Sequence, residues 1–284
     1  MLAVSFMMFL NEKTAADETV YTYLGPGDTN GYTRSLLVLA LDKSETKYGK
    51  YSLRFAPTMN EKRALKIMKE QNYINPIRGF ETRGWTLEAT SILPVKFPVY
   101  LGIYGYRVCF LSSELIGSFA KADSLDTLRK FSYGLKTGWH DVEVLRHNAL
   151  IVRESTSLAG LYRQVGLKRI EVFCRAAVEL PQEQGIIDSV DNIKLDQTKA
   201  FFYPLPFFFY TRESDVEGAE RLEYGLKKAY DDGSLMEVWN RYHRQALTIA
   251  QLNQRQVIVL TNPVTEKITF PYQHFTYQPL ASQK

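Results

Sequence analysis

The chain has little of several things that would narrow its chemistry at once. It carries two cysteines in 284 residues, Cys109 and Cys174, with no CxxC pair and no cysteine–histidine cluster. That excludes the common zinc sites. Its four histidines, His140, His147, His243 and His274, are scattered, and none belongs to an HExxH helix or a nucleophile signature. There is no Walker loop and no GxGxxG after a strand, so the phosphate cradles of nucleotide binders are missing. No cofactor, metal or catalytic machinery is therefore expected. No charge of one sign prevails, because 35 Lys and Arg stand against 31 Asp and Glu. Basic residues alternate with acids, as in Glu61-Lys62-Arg63, whereas nucleic-acid binders gather them into a stripe. Nucleic acid is not an expected partner. Long hydrophobic runs are also lacking. Phe201 to Tyr210 is intensely apolar, but two prolines interrupt it and it is too short to span a bilayer.

What is plentiful is aromatic: 18 Tyr, 16 Phe and 3 Trp, enough to serve both a core and the walls of a ligand cleft. Met1 to Leu10 is almost entirely apolar, and Thr14-Ala15-Ala16 follows with small side chains. This reads as the hydrophobic part and cleavage end of a secretory signal, placed at residues 1–16 without its positive leader. The mature chain is then expected in the periplasm. There Cys109 and Cys174 can be oxidised to a disulfide, or remain buried thiols.

Along the chain, strand-like and helix-like stretches alternate. Glu18 to Leu24 alternates as a strand and ends in a loop, Gly25 to Gly31. Thr33 to Ser44 is apolar nearly all round and reads as a buried helix. Tyr51 to Ala56 is a strand, Asn60 caps a helix bearing Ala64, Ile67 and Met68 on one face, and Tyr73 to Ile77 is a third strand. This order predicts a parallel sheet with helical crossovers. Tyr100 to Leu111 is extended. A second alternating series of about 100 residues follows it, the common size of a domain. There Ser124 caps Leu125 to Arg129, Trp139 to Asn148 is helical, and Ile170 to Arg175 is a strand. Late in the chain Ala219, Leu222, Leu226 and Ala229 recur at helical spacing, and Gly233 stops that helix. Ser234 to Glu237 reads as a capping box for the next helix, and Val257 to Leu260 as a last strand.

Several stretches, in order, carry a resemblance. They are Asp28 to Ser44, Leu93-Pro94-Val95-Lys96-Phe97-Pro98, Gly105-Tyr106-Arg107-Val108, Leu125 to Arg129, Gly138-Trp139-His140-Asp141, Arg175 with Glu179, Tyr203-Pro204-Leu205-Pro206, Asp232-Gly233-Ser234 with Tyr242-His243, and Leu260 to Pro263. From about Thr19 to Asn262 the chain resembles the bacterial periplasmic solute-binding proteins of the amino-acid-binding type, in a divergent, transporter substrate-binding-like branch. The resemblance implies the type II periplasmic-binding-protein fold: two α/β lobes, each a mostly parallel sheet flanked by helices, with two crossings between them. Lobe one would comprise residues 17–104 and 207–284, and lobe two residues 105–206. A monomer would close on an amino-acid-like solute, or another small anion or zwitterion, and serve a membrane permease or a sensor receptor. The other readings are an enzyme that recruited the fold, using His140 with Asp141 or Glu143, and a scaffold that binds another protein.

Ligands in such folds lie at strand ends that face helix N-termini. Three loops fit. Asp28 can accept from an ammonium group or merely shape its turn. Arg83 can fork onto a carboxylate and Trp85 can stack on a ligand. In lobe two, Gly138 allows close backbone approach, Trp139 can stack, and Arg175 can meet an anion or pair with Glu179 or Glu171. The resemblance places a carboxylate-binding arginine shortly before the first crossing. This sequence has Glu88 or Ala89 there, with Arg83 the nearest arginine, a departure from the amino-acid-binding pattern.

Overall fold

The computed structural model describes residues 18–25, 31–70 and 72–277. The apolar amino-terminal stretch and Asp28 lie outside the described residues, and only the backbone of Trp85 is described. The elements, in chain order, are β1 (Thr19–Tyr23), α1 (Tyr32–Tyr48), β2 (Tyr51–Phe55), α2 (Glu61–Lys69), β3 (Pro76–Glu81), α3 (Gly84–Glu88), β4 (Ile92–Pro94), β5 (Tyr106–Ser112), α4 (Ile116–Ala120), α5 (Leu125–Leu128) and β6 (Ser132–Lys136). Then follow α6 (Asp141–His147), β7 (Ile151–Ser155), α7 (Leu158–Gly166), β8 (Val172–Ala176), α8 (Leu180–Ile187), β9 (Ile193–Leu195), β10 (Lys199–Phe202), β11 (Phe207–Arg212), α9 (Val216–Asp231), α10 (Ser234–Ala250) and β12 (Gln256–Val259).

Two sheets form. The first has the order β2-β1-β3-β11-β4, and the second the order β12-β10-β5-β8-β6-β7, with β9 also on β5. Parallel pairing holds where strands alternate with helices, in β2-β1-β3 and β7-β6-β8. The strands next to the crossings run the other way, since β11 is antiparallel to β3 and β4, and β5 is antiparallel to β8, β9 and β10. Both sheets are therefore mixed rather than mostly parallel. β5 and β11 enter from the other lobe with no crossover helix to bring them in parallel, whereas β12 pairs parallel to β10.

Side-chain caps start α2, α7 and α9. Asn60 Oδ1 accepts from Arg63 N at 2.9 Å, Ser157 Oγ from Gly160 N at 3.1 Å, and Asp215 Oδ1 from Gly218 N at 3.0 Å. The expected capping box at Ser234 does not form. Gly233, at φ 83°, ends the previous helix and stands directly before α10, so Ser234 falls inside the helix. Its N–H and hydroxyl donate back to Asp232 Oδ1 at 3.0 and 2.6 Å.

The two expected crossings run side by side. Tyr203 N donates to Gly105 O at 3.3 Å, and a Cβ on Gly105 would stand 2.3 Å from Tyr203 O. The tail departs from the expected lobe one segment 207–284. β12 pairs with β10 in the second sheet, in register from Gln256 opposite Lys199 to Val259 opposite Phe202. Helix α10 carries the chain there, packing on α1 and α9 and also on α8. Buried Arg255 then fastens the arrival, its guanidinium donating to the carbonyls of Ala250 and Lys199. The chain later returns to lobe one, where Tyr272 packs on Phe208 and Tyr277 N donates to Leu101 O at 2.7 Å.

The cysteine question is answered by register. Cys109 and Cys174 stand directly opposite on β5 and β8 and form a disulfide. Among the described residues no helix is long and apolar enough to cross a membrane.

Candidate functional site

Strand ends decide where the chemistry sits. β3 finishes at Glu81, and the chain turns through Arg83 into α3. β6 finishes at Lys136 and turns through Gly138 and Trp139 into α6, while Arg175 is the penultimate residue of β8. These turns open on the gap between the lobes, as strand ends do in open α/β sheets. A cavity of about 210 Å³ lies there. Glu61, Glu81, Arg83 and Phe207 line it from lobe one, Tyr104 and Arg107 from beside the first crossing, and Trp139, His140, Asp141, Arg175 and Glu179 from lobe two.

Three of the sequence candidates thus meet: Arg83, Trp139 and Arg175. Gly138 is not among the lining residues. It holds φ +82° in open space, so its part is to allow the left-handed turn rather than a close backbone approach. Asp28 lies outside the described residues, and the backbone of Trp85 is in α3.

Each guanidinium in the cleft is engaged by this chain's own groups. Arg83 Nη2 is 2.8 Å from Glu81 Oε2, and Nη1 is 3.8 Å from Glu61 Oε2. Arg107 is 5% exposed, donates from Nε to Asp141 Oδ1 at 2.9 Å and to Tyr203 Oη at 2.7 Å, and from Nη1 to Tyr104 O at 2.7 Å. The Tyr203 hydroxyl also donates to Asp141 Oδ1. Arg175 donates from Nε to both oxygens of Glu183 at 2.9 Å, and its Nη2 lies 2.9 Å from Glu179 Oε2. Its guanidinium lies over the Trp139 ring at 4.5 Å, a cation–π contact. Of the partners expected for Arg175, Glu179 is present. Glu171 instead accepts from Ser132 N and Oγ at 2.7 and 2.9 Å.

The carboxylates are not equally served. Glu81 Oε1 is buried with no hydrogen-bond partner. Burial pushes the Glu81 carboxyl above its usual range, against the pull of Arg83. Burial acts on Asp141 in the same direction, but the Arg107 charge and the Tyr203 hydroxyl outweigh it and hold that carboxyl below the usual range. His140 is held by Asn262 Oδ1 at 3.2 Å from Nε2 and by Glu143 Oε2 at 3.3 Å from Nδ1. Among the described residues no group of three His, Cys, Asp or Glu is arranged for a metal ion.

Sequence reasoning passed over Glu61, Glu81, Tyr104, Arg107, Glu183 and Phe207. One signal was available for Arg107: a charged residue inside the apolar run from Tyr106 to Leu111 needs a buried partner. A second cavity of about 460 Å³ lies between the crossings and the tail, beside Tyr106, Phe202, Leu205, Tyr272 and Tyr277. Its walls are mainly apolar and Glu266 is the one charged residue lining it, so it has none of the paired charges gathered in the first cavity.

No family model matches the chain, and no curated protein matches its sequence. Solved structures do match. The second substrate binding domain of a putative amino acid ABC transporter from Streptococcus pneumoniae superposes with TM-score 0.52 at 11% identity, covering 80% of this chain and 100% of that one. A periplasmic His/Glu/Gln/Arg/opine family-binding protein from Silicibacter pomeroyi, in complex with lysine, gives 0.51 at 12%, covering 79% and 96%. A double mutant of the Bordetella pertussis BvgS VFT2 domain gives 0.54 at 10%, covering 79% and 92%. At such identities the likeness is one of fold, and the chain has the two-lobed α/β fold of the type II periplasmic binding proteins.

Proposed function

We propose that this chain is an exported, monomeric solute-binding protein that closes two lobes on a small polar ligand and serves a membrane permease or a sensor receptor. One observation carries the reading: charged and aromatic side chains from both lobes converge on a single cavity at the strand ends. Closure of two lobes around a solute is the motion such folds make. The solved structures with this fold include an arginine-binding protein bound to arginine and the lysine complex, which supports binding over catalysis. Of the groups the enzyme reading names, His140 does meet Glu143, but its other nitrogen faces Asn262, and Asp141 is taken up by Arg107 and Tyr203. The Cys109–Cys174 disulfide and the apolar segment Met1 to Leu10 support export.

The test is native mass spectrometry of protein purified from its host, followed by a thermal-shift screen of amino acids, amines, sugars and organic acids. A solute at about 100 times its Kd adds about 2.7 kcal/mol of stability, easily read as a shift. A co-purified solute, or a shift confined to one chemical class, is expected. No bound mass and no shift across the panel would refute solute capture.

A further inference from the structure

We propose that the cleft selects a cation, an alkyl amine or guanidine, with its positive charge between Glu81 of lobe one and Asp141 of lobe two. This rests on the solute-capture reading and names the charge class of its ligand.

The first argument is charge balance. Four carboxylates, on Glu61, Glu81, Asp141 and Glu179, line the cavity together with three guanidinium groups. Glu183, directly behind Arg175, adds a fifth carboxylate. An incoming anion would enter a site whose arginines are already engaged and outnumbered. An incoming cation would meet surplus negative charge in a partly desolvated gap, where such interactions are strongest.

The second argument is an unmet acceptor. Glu81 Oε1 is buried and accepts from nothing, which costs free energy in the unliganded protein. Arg83 cannot supply it, because its Nε and Nη2 both reach Glu81 Oε2, at 3.3 and 2.8 Å. An ammonium brings three donors and a full charge to that oxygen. On the opposite wall, Arg107 Nε and the Tyr203 hydroxyl both donate to the same oxygen of Asp141, Oδ1.

The third argument is the aromatic lining. Tyr104, Trp139 and Phe207 are aromatic residues of the cavity, and ring faces attract cations; Arg107 and Arg175 already lie over Tyr104 and Trp139, so Phe207 is the ring offered to a ligand. Carboxylates on opposite lobes repel across the gap. A cation between them turns that repulsion into attraction, so binding and closure are driven by the same charge.

The experiment compares putrescine, γ-aminobutyrate and succinate, one four-carbon chain carrying two positive charges, balanced charges or two negative charges. Agmatine adds the guanidine form. Thermal shift and calorimetry should show binding by putrescine or agmatine, weaker binding by γ-aminobutyrate and none by succinate. Glu81→Gln should weaken the cation about tenfold or more while circular dichroism stays unchanged. If that variant does not fold, the salt dependence of cation affinity reads the same contact, since affinity must fall as salt rises. Stronger stabilisation by succinate or γ-aminobutyrate leaves solute capture standing and overturns the cation. No response to either cation also overturns it, and affinity indifferent to Glu81→Gln, or to salt where that variant does not fold, does the same. Silence from every solute of any charge removes the capture reading as well.

Discussion

Arg175 Nε lies 2.9 Å from each carboxylate oxygen of Glu183. Both side chains are more than nine-tenths buried, and the Tyr162 hydroxyl donates to Glu183 Oε2 at 2.6 Å. This desolvated pair ties β8 to α8 and leaves Arg175 little freedom to act as a ligand hook. Removing one partner strands a buried charge, which typically costs about 3–5 kcal/mol. Arg175→Ala is therefore expected to lower the unfolding free energy by that amount in a urea titration. A variant as stable as the parent would show the pair to be dispensable.

His243 offers a pH-dependent counterpart. It is 2% exposed on α10, in contact with the rings of Tyr32, Tyr100 and Trp239, and neither ring nitrogen has a hydrogen-bond partner. Burial lowers its pKa from the ordinary 6.5 to about 4. Between those values the unfolded chain binds the proton and the folded chain resists it. Stability from the neutral ring is thus complete above about pH 6.5 and is lost as pH falls towards about 4, by roughly 3 kcal/mol in all. His243→Phe keeps an aromatic ring and removes the titration. Urea midpoints across that range should fall less for the variant than for the parent, and parallel curves would contradict this account.

Gly225 in α9 tests a sign. Replacing a glycine in an exposed helix by alanine usually stabilises by about 1 kcal/mol. Here a Cβ would stand 1.9 Å from the backbone oxygen of Ala40, where α9 crosses α1. Gly225→Ala is expected to destabilise by about 1–3 kcal/mol, because the two helices must separate. A raised thermal midpoint would show that the helices can part at little cost.

The Cys109–Cys174 bridge links residues 65 apart in sequence, so it restricts a long loop of the unfolded chain. Loop-closure entropy for that length corresponds to about 4 kcal/mol. Replacing both cysteines by alanine should lower unfolding free energy by a few kcal/mol, and reduction of the parent should match it. Equal stability of parent and variant would place the benefit elsewhere.

Features decided within one turn of chain were legible in the residues. Asn60 and Ser124 accept from N–H groups three residues on, so their caps are written locally. The buried character of α1 showed in Leu36, Leu37, Ala40 and Leu41, and the pairing of Arg175 with Glu179 follows a four-residue spacing. Arg83, Trp139 and Arg175 were recognisable as cleft residues because strand ends and helix starts can be counted. Other features depend on how distant segments dock. The alternation of Gln256 to Val259 is the same whichever sheet receives it, and only the path of α10 and the anchoring of Arg255 bring it to β10. Glu183 lies eight residues from Arg175, beyond the one-turn reach of helical side-chain pairs, and joins it through the placement of α8. Tyr203 is 96 residues from Arg107, and only the paired crossings bring them together. Glu81 and Asp141 belong to different lobes, so no spacing along the chain relates them. Local backbone geometry writes itself into short sequence patterns, whereas the balance of charge in the cleft is set by lobe docking, where distance in space is independent of distance along the chain.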